Sequence, residues 1–261
     1  MSERVFHRFV AMGDSFTEGV GDPDPTGTHE YRGWADRVAE VLATRADDFG
    51  FANLGVRGKL LRQVIDEQLA DTLAMRPDLV TVYAGANDLI RPQVDIDALV
   101  EEYDAMIAEL AASGATVVLW TGADTHGGGI FGALRGRFAI YNELVREVAE
   151  RRGCLLVDYW RMRDYRDARL WEFDRMHMST AGHVRMAIEV LDVIGVRHAV
   201  TPVDLGPAPV LTPAEERAVK RRWRRDFAFP WVMRRVRGIS TGDGRPPKYP
   251  DLTVPVMAPR D

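Results

Sequence analysis

The chain has 261 residues, 46% hydrophobic and 28% charged, enough to bury one sizeable core as a single α/β domain with an appendage. Its formal charge of −5 speaks against general nucleic-acid binding. Residues Met1 to Val10 include Glu3, Arg4, His7 and Arg8 where a signal peptide or membrane helix needs a long apolar run, so a soluble, cytoplasmic protein is expected.

In chain order, short apolar runs alternate with segments of helical period. Phe9 to Met12 reads as a strand, Trp34 to Ala43 as a helix, Phe51 to Leu54 as a strand and Leu60 to Met75 as a helix. Leu79 to Tyr83, Val117 to Trp120 and Leu155 to Val157 continue the strand series, with helices expected over Ile96 to Ala112, Tyr141 to Arg151 and Thr180 to His198. Five buried strands joined by helices imply a parallel sheet in a three-layer α/β/α sandwich. The single cysteine, Cys154, precedes Leu155, Leu156 and Val157 and reads as a buried packing residue of the last strand.

A linker, Thr201 to Pro209, separates a catalytic domain of residues 1–200 from an extension of residues 201–261. Thr212 and Glu215 form a capping box with Pro213 at the first helical position, predicting a helix to about Arg225 and mostly irregular chain beyond. From Ala214 to Asp261 there are 12 Lys/Arg against 6 Asp/Glu, so this tail carries +6 and the rest of the chain −11. Lys220 to Arg225, with Phe227, Phe229 and Trp231, has the basic and aromatic mix of a weak contact with an anionic surface. The preferred reading is a strap whose aromatics pack on the body while the arginines face water.

In a parallel sheet the residues just past the strands' carboxyl ends converge on one rim. The first strand delivers Gly13-Asp14-Ser15 there, the second Asn53-Leu54-Gly55 with an unobstructed Gly55 N–H, and the third Gly85-Ala86-Asn87-Asp88 with the Asn87 amide. Further on, Asp174 stands three residues before His177, close enough for its carboxylate to fix the imidazole tautomer. Each piece alone reads first as ordinary structure: a turn, a helix cap or a surface pair. Together they bring a hydroxyl, two donors and an acid/base pair to one rim.

These four blocks resemble the SGNH, or GDSL-like, hydrolase superfamily of esterases, lipases and acylhydrolases, from about Phe9 to His198. The resemblance implies a flavodoxin-like SGNH fold, Ser15 as nucleophile, Asp174 and His177 completing the triad, and an oxyanion hole made by the N–H groups of Ser15 and Gly55 with the Asn87 amide. Ser179 and Gly182-His183 are also family-like. Two positions depart from the pattern: Phe16 replaces the leucine of the GDSL name, and Met178 stands where many members carry a proline that would fix φ.

The expected activity is hydrolysis of small or medium acyl esters through an acyl-serine intermediate, without metal or organic cofactor. An acyltransferase using the same serine, and a binding protein using the basic tail, are the alternatives. No nucleic-acid partner is expected, and the oligomeric state is left open. Asp22-Pro23-Asp24-Pro25 reads as a turn, not a calcium loop. His7, His29, His183 and His198 read as structural or solvated, His126 as a pocket residue, and Gly122 to Gly129 as either a pocket cover or a plain connection.

Overall fold

Five parallel strands run through the middle of the computed structural model, which describes residues 4–125, 132–237 and 240–255. They are β1 (Arg8–Gly13), β2 (Gly50–Asn53), β3 (Leu79–Tyr83), β4 (Thr116–Trp120) and β5 (Leu155–Val157). Their order, β5-β4-β3-β1-β2, is the flavodoxin-like one, and the chain reverses direction across the sheet between β1 and β3.

Strand side chains alternate between two cores. Phe9 and Ala11 join Phe51, Trp34 and Trp120 on one face, under α2 (Gly33–Ala43) and, further along the chain, Thr180–Val193. Val10 and Met12 join Val82, Tyr103 and Met106 on the other, under helices Ile96–Ala112 and Arg135–Arg152. Covered on both sides, β1 and β3 need apolar residues at nearly every position.

The helix expected over Leu60 to Met75 is helical but not uniform: Leu61–Val64 passes through a π-helical turn, Ile65–Leu69, into Ala70–Ala74. That turn carries the buried Gln68. Its amide accepts from Gly13 N at 2.8 Å and donates to Gly13 O at 2.9 Å, filling both backbone valences beside Ser15. Helix Thr180–Val193 stops short of His198 because Gly195, at φ 73°, turns the chain out of helical conformation.

Among the described residues the sheet has six strands, where sequence predicted five. The added strand, β6 (Tyr249–Thr253), pairs antiparallel with β2, Phe51 opposite Thr253 and Asn53 opposite Tyr249. Pro250 and Asp251 hide it from a strand search, yet the sheet edge tolerates a proline because only one side of the strand is paired. The tail is also more regular than expected. Helix Pro213–Trp223 continues through a π-helical turn, Arg224–Ala228, into Phe229–Val236, the irregular turn falling where Pro230 has no N–H to give to residue 226.

Cys154 lies just before β5, half-buried and not within the strand as expected. Burial pushes its thiol up to about 11, so it is neither thiolate nor nucleophile near neutral pH. No helix among the described residues is long and apolar enough to cross a membrane.

Candidate active site

Ser15 opens a one-turn helix, α1 (Ser15–Glu18), directly after β1. Asp14 caps it, Oδ1 accepting from Phe16 N at 3.0 Å, and Gly19 closes it at φ 97°. Gly13 has φ 143°, and a Cβ there would collide with the Tyr83 carbonyl of β3, so only glycine lets the serine turn sit this close to the next strand. The Phe16 ring lies 4.2 Å from Tyr83, 5.5 Å from Trp34 and 5.9 Å from Trp120. At this position the larger side chain is absorbed by an aromatic cluster beneath the site.

The acid/base pair is built within a single loop. Asp174 Oδ1 accepts from the N–H groups of Met176 at 2.8 Å and His177 at 2.9 Å, leaving Oδ2 2.6 Å from His177 Nδ1. With the carboxylate as acceptor, Nδ1 is the donor of this contact, so in the neutral imidazole the lone pair belongs to Nε2. Burial alone would raise the Asp174 pKa, but the hydrogen bond and charge of His177 and the two backbone donors outweigh it and hold the group below its ordinary value. Arg175, between the two residues, adopts φ 62°. In place of proline, Met178 is 2% exposed and forms a bridge with Trp171, so packing holds the exit of the loop.

Ser15, Asn87 and His177 line one cleft of about 530 Å³, walled by Tyr83, Tyr159 and Trp171, while Asp174 stands behind His177. Among the described residues no hydrogen bond joins Ser15 Oγ to His177. Ala123, Asp124 and Thr125 also line the cleft; Gly122 is pinned by Asn142, donating to its Oδ1 at 2.7 Å and accepting from its Nδ2 at 3.0 Å. His126 and Gly127 to Gly129 lie outside the described residues.

The donors differ in how free they are. Asn87 sits on the short helix Ala86–Leu89 after β3, its Nδ2 donating to Asp14 Oδ2 at 2.9 Å and to Lys59 O at 3.1 Å. The Gly55 N–H donates to Asn53 Oδ1 at 3.0 Å, and Asn53 Nδ2 in turn donates to Thr17 O at 2.8 Å, so Gly55 ties the end of β2 to α1. Gly58, at φ 78°, has an N–H without a hydrogen bond among the described residues and adjoins Lys59, whose carbonyl receives Asn87. Its sequence signal was the second glycine of Gly55-Val56-Arg57-Gly58.

Asp14 is the functional candidate that sequence reasoning passed over. It is 2% exposed. Burial pushes its carboxyl up to about 7, against the opposing pull of the Phe16 N–H and the charge of His177.

The other titratable groups are structural. His183 accepts from Trp34 N at 3.2 Å on Nδ1 and donates to Val20 O at 3.1 Å from Nε2; burial lowers its pKa to about 4, so it stays neutral. His7 pairs with Asp48, His198 with Asp192, and His29 packs on Tyr249. Asp24 accepts from the N–H groups of Thr26 and His29 and so serves the expected turn, whereas Asp22 binds Arg37 and Gly33 N and ties the turn to α2. Among the described residues no three His, Cys, Asp or Glu side chains are arranged to hold a metal.

Residues 11–185 match the model of the GDSL-like lipase/acylhydrolase family. An acetylxylan esterase from Geobacillus stearothermophilus is 27% identical over 213 residues, covering 72% of this chain and 94% of the esterase. The crystal structure of the Geobacillus stearothermophilus acetylxylan esterase Axe2 superposes with a TM-score of 0.61 at 24% identity, over 76% of this chain and 99% of its own. That of LAE5, an α/β hydrolase enzyme from the metagenome of Lake Arreo, Spain, gives 0.62 at 25% identity, over 74% and 97%. Catalytic mutants of Axe2, altered at a serine, an aspartate or a histidine, share the same fold.

Proposed function

The chain belongs to the GDSL-like lipase/acylhydrolase family of carboxylic ester hydrolases, and from that premise we propose that it cleaves esters of small or medium acyl groups through an acyl-enzyme on Ser15. The observation that carries this reading is the 2.6 Å contact between His177 Nδ1 and Asp174 Oδ2, which leaves Nε2 as a base in the cleft that Ser15 lines.

His177 Nε2 takes the proton of Ser15 Oγ as Oγ attacks the carbonyl carbon, and Asp174 stabilises the imidazolium that forms. The Ser15 N–H, at the first position of α1 and so without an intrahelical acceptor, the Asn87 amide and a glycine N–H from the loop after β2 stabilise the oxyanion. Gly55 is the family-like choice, but its N–H must leave Asn53 first, as the Asn87 amide must leave Asp14 or Lys59; the Gly58 N–H makes no hydrogen bond among the described residues. Collapse expels the alcohol with the proton from His177. Water, with His177 again as base, then releases the acid from Ser15.

The size of the cleft and its aromatic walls suit a modest acyl group, and the acetylxylan esterase relative sets acetyl esters at the short end of the range. Residues 1–200 carry the chemistry, and the extension of residues 201–261 meets them through Trp223, Lys248 and β6, while Phe229, expected to pack on the body, is 67% exposed and helix Pro213–Trp223 has no buried residue.

The test is hydrolysis of p-nitrophenyl esters from acetate to palmitate by wild-type protein and Ser15→Ala. Rates should be highest on the short chains and vanish in the variant, with added alcohols leaving the free acid as the product. Retained activity in Ser15→Ala, or a wild type inert toward every ester, would overturn the reading.

A further inference from the structure

The family match ends at residue 185, yet the chain beyond residue 201 touches both halves of the catalytic machinery. On the acid/base side, Trp223 Nε1–H donates to the backbone carbonyl of Asp174 at 3.1 Å. The Arg175 guanidinium lies 5.1 Å from the Trp223 ring centroid, and the Arg222 guanidinium 5.0 Å from that of Phe173. On the serine side, the Lys248 ammonium, 5% exposed, reaches Asp36 at 2.6 Å and the carbonyls of Glu18, Tyr31 and Arg32 at 3.1, 3.1 and 2.6 Å. Glu18 is the last residue of the helix that Ser15 opens.

Arg175 holds a left-handed backbone conformation that costs a non-glycine residue energy and persists where its surroundings impose it. This turn is what lets one carboxylate accept from Met176 and His177 N–H groups and still face the imidazole. The loop's own hydrogen bonds, Arg175 N to Glu172 O and Glu172 N to His177 O, close the turn but leave the Asp174 carbonyl to be oriented from outside. Trp223, at the end of helix Pro213–Trp223, does that, and the tail further along the chain is anchored: Arg245 pairs with Glu30 at 2.8 Å, Lys248 is buried, and β6 completes the sheet edge.

We propose that the C-terminal extension is a working part of the active site and that Trp223 is a positioning residue, its indole N–H and ring holding the Asp174-Arg175 turn so that Asp174 aligns His177. The inference rests on Asp174 and His177 acting as described under Proposed function.

The experiment uses the full chain with Trp223→Phe, which keeps a ring and removes the N–H. Thermal midpoint, kcat and KM on p-nitrophenyl acetate, and the low-field proton resonance of His177 Nδ1–H are compared with wild type. A positioning role lowers kcat about tenfold with KM within about twofold, since misalignment acts on the reacting groups, and broadens the resonance in protein that is still folded. A folded variant with wild-type kcat and an unchanged resonance overturns the proposal, whatever its thermal midpoint. Should Trp223→Phe not fold, Arg222→Ala loosens the same loop through Phe173. A drop in kcat of about threefold with a broadened resonance supports the proposal, and no change in either overturns it. If the protein cleaves no ester, the resonance alone decides, so failure of the esterase reading and failure of the positioning role are told apart.

Discussion

Asn87 and Asp14 come from the ends of β3 and β1, and their side chains meet at 2.9 Å, the amide of Asn87 donating to Asp14 Oδ2. The carboxyl group thereby fixes which way the amide faces at the point where the sheet reverses. Loss of one oxyanion donor costs about 3 kcal/mol of barrier, so Asn87→Ala should lower kcat by about two to three orders of magnitude with a much smaller change in KM. Steady-state kinetics on a short-chain ester decide it: an unchanged kcat removes Asn87 from the oxyanion hole.

Asp14 has a second consequence, in stability. Its carboxyl is pushed up to about 7 in the folded protein by burial, so between about pH 4 and 7 the folded chain holds a proton that the unfolded chain has released. The stability this contributes is complete below the ordinary aspartate value and lost as pH rises through about 7. Asp14→Asn removes the titration. Urea unfolding of both proteins at pH 4.5 and pH 8 should show the wild type losing stability relative to the variant on going to the higher pH; parallel trends would count against a buried, protonated Asp14.

Asp174→Asn tests the tautomer. The N–H groups of Met176 and His177 already claim one oxygen of this side chain, so an asparagine would keep its oxygen there and turn its amide nitrogen toward His177 Nδ1. The imidazole proton is then driven onto Nε2, where it blocks uptake of the Ser15 proton. A fall in kcat of about four orders of magnitude is expected at unchanged fold. A loss below tenfold, measured on the same ester series, would mean that Asp174 does not set the tautomer.

Lys248 and Asp36 form a buried ion pair, their side chains 5% and 9% exposed. Removing one partner strands the other charge, at a cost of about 3–5 kcal/mol. Lys248→Met should therefore lower the denaturation midpoint strongly, and Lys248→Met combined with Asp36→Leu should recover part of the loss. If the double variant is as unstable as the sum of the single ones, the pair is not coupled as the structure places it.

Much of the fold was legible because burial writes a period into the chain. Leu79–Tyr83, Leu155–Val157 and Ile96–Ala112 were located to the residue, each an apolar run or a helical repeat between polar punctuation. β6 was not, since an edge strand that pairs on one side has no need of a continuous apolar run. The π-helical turn carrying Gln68 was also invisible; its reason is a pair of hydrogen bonds to Gly13, 55 residues away.

The candidate site divides along the same line. Asp174 with His177, three residues apart in one loop, and Ser15 at a strand end are local arrangements, and amino-acid order alone determined them together with the sandwich that gathers strand ends on one rim. Tertiary structure alone decided what each donor faces and which charges lose water: that Asn53 holds the Gly55 N–H, that burial keeps Asp14 protonated to about neutral pH, and that Trp223, 49 residues on, holds the Asp174 carbonyl. Sequence spacing governs backbone turns and the period of burial, whereas hydrogen-bond partners and desolvation are set by atoms brought near only when the chain has closed on itself.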